Sequence, residues 1–334
     1  MLARMRENLL TFWKRTFISA LPLLPRRSAE EQTKETWAVW IKSFAEVPEA
    51  YRDFFAAFLA QGHPFPYTLL TPGYERFLRK TTEKLICEIG GDIYILEKSG
   101  QGFEVRCYPL DSLDTIEFSR MLLDASLTLH GQEGPEGPAS SMLQFNSVTD
   151  YLFTPLIWTM RGAADGSQAE ARHPLNEQFE HWGPGRLKFI NFARRSLLPD
   201  EEPVGAILQP EIRGRLFPLA WKTWQRTLSP AHMAILTDRE LILFREKVWP
   251  GAIDRYGGIW DYIPRNKIQA LSLKRKAGDL LELSIQLCHQ RHLEILFQAA
   301  LEAEVEQFLQ PFQGIRLSPD APRPHTSHGP HFWH

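Results

Sequence analysis

Apolar residues recur every three or four positions through the first sixty residues, a spacing that predicts helices. The first such segment spans 2–24, with basic residues on its other faces. A second spans 34–61, and Val47-Pro48 is predicted to divide it because proline interrupts a helix. The buried side of this second segment is predicted to hold Trp37, Trp40, Phe44, Phe54, Phe58 and Leu59. The pattern therefore predicts a helical N-terminal region over 1–62.

Strand-like alternation replaces the helical spacing from about Tyr67. Two β-rich runs, 85–89 and 92–96, flank Gly90-Gly91, which is the signature of a hairpin whose turn needs positive φ. After these runs, further strands are predicted at 103–108, 113–118, 122–129 and 142–145. A helical pattern follows Asn146 and contains Pro155, which predicts a kink.

A stretch rich in glycine, alanine, proline and charge begins at residue 162 and predicts a linker over 162–198. Its last part, 187–198, is helical or extended. The order of elements then repeats, with a hairpin whose turn is Thr237-Asp238-Arg239 and a closing helix at 300–309. Strands of this half are predicted at 204–208, 233–236, 240–245, 259–263, 268–273, 280–287 and 292–297.

Four short matches appear in the same order in the two halves. They pair Asp92 with Glu240, Tyr108-Pro109 with Ile263-Pro264, 123–127 with 281–285, and 143–145 with 295–297. Such a recurrence predicts an internal duplication. The predicted fold class is therefore α+β, with two tandem units over 63–161 and 199–314. Each unit would hold six or seven antiparallel strands, bent or curled into a barrel, and a closing C-terminal helix.

The second unit resembles the bacterial pleckstrin-homology-like (PH-like) and GRAM-like modules. The residues that carry the resemblance are 234–243 around Thr237-Asp238-Arg239, then Ile263-Pro264 with Ile268, and the terminal helix. The resemblance covers 199–312, and 67–160 more loosely. In the first unit Gly90-Gly91 replaces the Thr-Asp-Arg turn and the closing helix carries Pro155. The resemblance implies early strand loops that contact lipid headgroups or peptides, and it also implies assembly into oligomers.

Composition describes a globular chain of 334 residues, 43% hydrophobic and 23% charged, with a net charge of −2. This balance argues against a nucleic-acid-binding protein. Residues 1–27 carry six basic residues against one acidic residue. Three cysteines are too few for a disulfide framework and favour a cytoplasmic location. No run of roughly 18 apolar residues is present in the sequence.

The sequence contains no catalytic motif: there is no phosphate-binding P-loop, no G-x-S-x-G elbow and no H-E-x-x-H pair. A metal site could be sought in Cys288, His289 and His292, but these residues fall on a predicted strand turn. Successive strand side chains point to opposite faces, so the three do not converge on one ion. The histidine-rich tail, 315–334, has no scaffold to preorganise ligands and is predicted to be disordered. We therefore predict no enzyme activity, no cofactor and no metal site.

Three segments are candidates for binding. The connection between the first two strands of the second unit combines cations with aromatic residues, and it is either a lipid or peptide site or an amphipathic helix packed on its own module. Its named residues are Arg213, Arg215, Trp221, Lys222, Trp224 and Arg226, and Arg194 and Arg195 form a smaller basic cluster. The N-terminal helix either packs on a domain or partner or lies in a membrane interface through Arg4, Arg6, Trp13, Lys14, Arg15 and Phe17.

The sequence thus predicts a cytoplasmic binding or scaffolding protein built of two PH-like modules. Its expected partner is either another protein or an anionic membrane surface, with a peripheral membrane location in the second case. An oligomerising structural protein and an enzyme with a site between the two modules are the alternatives.

Overall fold

A computed structural model describes residues 33–76, 79–100, 102–133, 137–163, 186–219, 222–247, 257–312 and 316–317. The predicted helix at 2–24 and the histidine-rich tail lie outside these residues. The chain forms two compact units, Met1–Thr36 and Trp37–His334. In the first unit the described part is a single turn, in which the Thr36 hydroxyl donates to the Thr33 carbonyl over 2.6 Å. All that follows concerns the second unit.

Most of the second unit is antiparallel β-structure with a few short helices, so the α+β class is correct. Up to residue 163 the strands are β1 Val39–Ile41, β2 Thr68–Thr71, β3 Tyr74–Arg76, β4 Arg79–Thr81, β5 Lys84–Ile89, β6 Asp92–Ser99, β7 Gly102–Pro109, β8 Leu113–Met121, β9 Asp124–Gln132 and β10 Pro138–Asn146. The helices of this half are α1 Arg52–Leu59 and α2 Thr154–Met160, the latter preceded by the 3-10 segment Ser147–Phe153.

The second half begins with helix α3, Leu187–Ser196, and ends with helix α4, Glu302–Leu309. Between them lie β11 Pro203–Gln209, β12 Ile212–Leu219, β13 Lys222–Ser229, β14 His232–Thr237, β15 Glu240–Glu246, β16 Gly258–Pro264, β17 Ile268–Lys276, β18 Leu280–Leu287 and β19 His292–Gln298. A short β20, Arg316–Leu317, pairs in parallel with β17. None of the described helices is long and apolar enough to span a bilayer.

The first sheet has the order β1-β2-β5-β6-β7 and corrects the predicted helix over 34–61. Val39–Ile41 is a strand paired with β2, and Trp40 is 42% exposed rather than buried. Its run of β-branched and aromatic residues fits a strand better than a helix. Between Trp37 and Gln61 the α-helix is limited to Arg52–Leu59, and its Phe55 is buried beside Tyr51.

The seven-stranded central sheet has the order β10-β9-β8-β16-β15-β14-β11. Its first three strands come from the first half of the chain and the other four from the second half. The two sets meet at one antiparallel ladder, in which Trp260 of β16 pairs with Phe118 of β8 and Asp261 pairs with Glu117. The ladders between described strands form open sheets rather than a separate closed barrel in each half.

The third sheet, β19-β18-β17-β20, packs with α4 around a separate apolar cluster. On α4, Val305, Phe308 and Leu309 are buried, as their spacing predicts, whereas Leu301 lies in the preceding 3-10 turn and is only partly buried. The larger cluster lies on the other side of the central sheet and includes residues of α2 and α3. The central sheet therefore has a core on each face.

Element order and strand register recur between the halves. Residues after equivalent turns pair with equivalent prolines, Asp92 with Pro109 and Glu240 with Pro264. Leu127 pairs with Leu143, and Leu283 pairs with Ile295. Leu127 thus corresponds to Leu283, whereas the match of 123–127 with 281–285 aligned it with Ile285, two residues further along. Each half also inserts a two-stranded hairpin at the same place, β3–β4 or β12–β13.

Two local predictions need correction. The segment 213–226 is not an amphipathic helix, since both of its arms belong to the hairpin β12–β13. Pro155 lies in the first turn of α2, where its missing N–H breaks no helical hydrogen bond, so it begins the α-helix instead of kinking it. Non-helical dihedrals occur earlier, at Thr149. The segment 187–198 is a helix up to Ser196.

Candidate functional site

A cleft of about 780 Å³ opens over the ladder that joins the two halves. Its floor is formed by β8 and β16, which contribute Phe118, Trp260 and Tyr262. One wall is the segment 150–161, including α2, and the other is α3. The volume is in the range of small-ligand pockets, and the position depends on both halves of the chain.

Aromatic rings dominate the lining of the cleft. The ring of Trp260 lies 5.9 Å from that of Phe118 and 5.3 Å from that of Phe192, measured between centroids. Helix α3 buries Ile190, Ala193 and Ser196 at helical spacing, which turns Phe192 toward the floor. Tyr151 and Trp158 add two more rings on the facing wall. Such a surface favours a ligand with an apolar or aromatic body.

Some of the cationic side chains at the cleft already form ion pairs with acidic residues, and one does not. Arg120 is paired with Asp150 at 2.8 Å, and Lys188 with Glu246 at 2.7 Å. Arg195 lines the cleft on the exposed side of α3 and, among the described residues, has neither an ion pair nor a hydrogen bond from its side chain. Its guanidinium is therefore the group best placed to receive an anion.

Arg161, at the end of α2, is a buried cation that lines the cleft. Its Nε donates to Glu240 over 2.9 Å and its Nη2 donates to Glu201 over 3.1 Å. Nη2 also donates to the Ser196 carbonyl over 2.7 Å, and the guanidinium stacks 4.0 Å from the centroid of the Tyr262 ring. One side chain thus connects α2, α3 and β15 with the strand that forms the cleft floor.

Two carboxylates share this one guanidinium. Burial raises the pKa of Glu240 to about 7; Arg161 opposes that shift and the nearby Glu201 carboxylate adds to it. Glu201 is held separately by the Thr237 hydroxyl, which donates to it over 2.6 Å. The cluster therefore gains a buried negative charge as pH rises through neutrality.

This titration predicts a pH-dependent difference between the protein and its Glu240→Gln variant. The pKa of Glu240 is higher in the folded state, so the folded chain keeps a proton that the unfolded chain has lost, and the stabilisation from this group decreases as pH rises toward 7. The free energy of unfolding of the wild type, minus that of the variant, should fall by at most about 1.4 kcal/mol per pH unit. Urea denaturation measured from acidic to slightly alkaline pH checks this, and parallel curves would contradict it.

A second polar cluster lies on the opposite face of the same ladder. Asp261, fully buried, accepts a hydrogen bond from Arg245 over 2.7 Å, and Arg291 approaches both Asp261 and Glu117 at 3.9 Å. His289 contacts Asp114 at 2.8 Å. Within the described residues no three histidine, cysteine or acidic side chains are grouped to hold a metal ion.

The predicted site residues are separated by the fold. Arg195 lines the cleft, and the adjacent Arg194 is exposed on the same helix. Arg213 and Arg226 are exposed on the hairpin β12–β13, where Arg213 pairs with Glu211 at 2.9 Å. On that hairpin the backbone alone is described for Arg215, Lys222 and Trp224, and Trp221 lies outside the described residues. Arg4, Arg6, Trp13, Lys14, Arg15 and Phe17 also lie outside them.

Sequence reasoning missed the cleft itself. Phe118, Trp158 and Trp260 sit in segments whose secondary structure was predicted correctly, yet their meeting depends on a ladder between distant strands. The sequence signal was the alternation within β8 and within β16, which assigns Phe118 and Trp260 each to one face of its own strand. It does not indicate that the two strands are neighbours in one sheet.

Comparison with known proteins identifies neither a matching protein-family model nor a matching curated protein sequence.

Proposed function

We propose that the protein is a non-enzymatic binding protein built of two PH-like modules, 63–161 and 199–314, with its ligand site in the cleft between them. Support for the modules comes from the recurring strand order, the equivalent hairpin insertions and the matching registers at Asp92–Pro109 and Glu240–Pro264. The N-terminal region and a cytoplasmic, membrane-peripheral location belong to the same proposal and rest on the basic amphipathic sequence of 1–27.

One observation carries the choice of site: an exposed arginine without a partner among the described residues, Arg195, stands beside a set of aromatic rings. The ligand class that fits is an amphipathic molecule with an apolar or aromatic body and one anionic group. Binding suits the cleft better than catalysis does, because its acidic lining residue, Asp150, is already paired with Arg120. The buried carboxylates of Glu201 and Glu240 are likewise engaged by Arg161.

The fluorescent probe 8-anilinonaphthalene-1-sulfonate has this chemistry and tests the site. We expect the full-length protein to bind one equivalent, and Arg195→Gln to weaken the affinity about tenfold because a charge-assisted contact is lost. Arg194→Gln is the matched control, since it removes the same charge from the neighbouring exposed position. Its affinity should stay close to that of the wild type.

Equal losses in the two variants would show that only the overall charge of α3 attracts the probe, and would exclude the cleft as its site. Unchanged affinity in Arg195→Gln would exclude the proposed anion contact. Thermal denaturation checks that both variants remain folded. We expect them to, because both side chains are exposed and neither substitution removes core packing.

A further inference from the structure

The turn between β8 and β9 has an unusual composition. It consists of Leu122 and Leu123, which are 67% and 55% exposed. Leu122 has a φ of 53°, in the left-handed region that disfavours a leucine. Tight turns of this kind normally carry glycine, asparagine or aspartate. Two exposed leucines are therefore not explained by what the turn itself requires.

The second half of the chain provides an internal comparison. The corresponding turn between β17 and β18 is Ala277-Gly278-Asp279, with glycine and aspartate at the positions of positive φ. This turn shows that the strand connection can be made with ordinary turn residues. The leucines of the first half thus point to a requirement for exposed apolar surface.

The leucine turn is continuous with other exposed apolar side chains and with the cleft. The Ser147 N–H donates to the Leu123 carbonyl over 2.9 Å, which holds the segment 147–151 against the turn. Val148 and Tyr151 on that segment are 47% and 65% exposed. Leu122 and Tyr151 also line the cleft. We call Leu122, Leu123, Val148 and Tyr151 the apolar rim.

Among the accessible charged groups around the rim and cleft, four cations stand against three acidic groups, and two of the cations are already paired. Arg120, Lys188 and Arg195 line the cleft, and Arg194 lies next to them on α3. The facing acidic groups are Asp150 and Glu246, each already paired with one of these cations, and Asp124, at the start of β9. A protruding apolar turn with a tyrosine and nearby cations is the combination that binds an anionic bilayer surface.

We propose that the apolar rim is a membrane-contact surface, which inserts into an anionic lipid bilayer and brings the mouth of the cleft to the lipid headgroups. This inference rests on the proposed function and gives the source of its amphipathic anion. A protein partner would need a complementary apolar surface, whereas the cations beside a small convex turn match a lipid surface directly.

Vesicle co-sedimentation of the full-length protein tests the proposal, using vesicles of phosphatidylcholine mixed with phosphatidylserine. We expect the wild type to bind, and the double variant L122N/L123G to lose roughly tenfold or more in affinity, because two apolar side chains are removed. This variant supplies residues that the turn geometry favours, so it should remain folded. The matched control is Val105→Asn, which removes an exposed apolar side chain from β7 and should bind as the wild type does.

Absence of vesicle binding by the wild type would overturn the proposal. Full vesicle affinity in L122N/L123G would also overturn it, because the membrane contact would then be made by other parts of the chain. An equal loss in Val105→Asn would also overturn it. The solution titration with the sulfonate probe is independent of vesicles. Probe binding that depends on Arg195 would preserve the cleft function even if the vesicle experiment fails, whereas a wild type that does not bind vesicles would also reject the membrane-peripheral location proposed above.

Discussion

Replacing Arg161 by methionine is expected to lower the free energy of unfolding by about 3–5 kcal/mol at neutral pH. Methionine is of similar length and apolar, so packing against Tyr262 is largely kept. The loss comes from leaving Glu201 and Glu240 buried without their shared cation, since their side chains are almost inaccessible. Chemical denaturation followed by tryptophan fluorescence measures the change.

Arg239→Gln is the control for this prediction. Arg239 pairs with Asp200 at 2.6 Å, but both side chains are more than a third exposed, so its removal should cost less than about 1 kcal/mol. The cost of Arg161→Met should also decrease at acidic pH, because burial favours the protonated form of Glu240 and its protonation removes unpaired charge. A loss no greater than that of Arg239→Gln would show that the Arg161 cluster does not connect the halves energetically.

Substituting alanine for Gly257 is expected to destabilise the protein by about 2–5 kcal/mol. Gly257 precedes β16 with a φ of 98°, and a Cβ atom there would lie 2.0 Å from the Arg120 carbonyl oxygen of β8. The clash is with backbone, so β16 must move away from β8. Because Gly257 also lines the cleft, probe affinity should fall with stability.

Gly278→Ala is the control that separates the two effects expected in Gly257→Ala, the steric clash of the Cβ atom and the strain of a positive φ. Gly278 has a φ of 77°, yet a Cβ atom there would meet nothing within 4 Å. Its substitution should cost only the positive φ, roughly 1–2 kcal/mol, and leave probe binding unchanged. Similar losses of stability in the two variants would contradict the close approach of β8 and β16.

Local patterns predicted the fold well where contacts are close in sequence. Alternation and turn residues located β5 to β11 and β14 to β19, but not β1, β3, β4 or the hairpin β12–β13. Gly90-Gly91 has the positive φ values expected of its hairpin. The errors are instructive. The apolar spacing of 34–61 also fits a short strand, and pairing with β2 decided the conformation of Val39–Ile41. The aromatic-basic segment after β11 folds as a hairpin, a choice that depends on strand pairing rather than on periodicity.

The candidate site was beyond local prediction for the same reason. β8 and β16 are distant in the chain, and nothing in either strand specifies the other as its neighbour. The Arg161–Glu240 contact spans 79 residues and joins a helix end to a strand start. Arg195 was identified only as part of a basic pair, because the aromatic rings beside it come from other elements.

The central claim is that the cleft over the β8–β16 ladder is the binding site. Amide hydrogen exchange of the full-length protein, measured by mass spectrometry with and without the sulfonate probe, tests it most directly. The account predicts slower exchange on probe binding in peptides covering β8, the segment 147–161, α3 and β16. Protection confined to the hairpin β12–β13, with no change at β8 and β16, would contradict it.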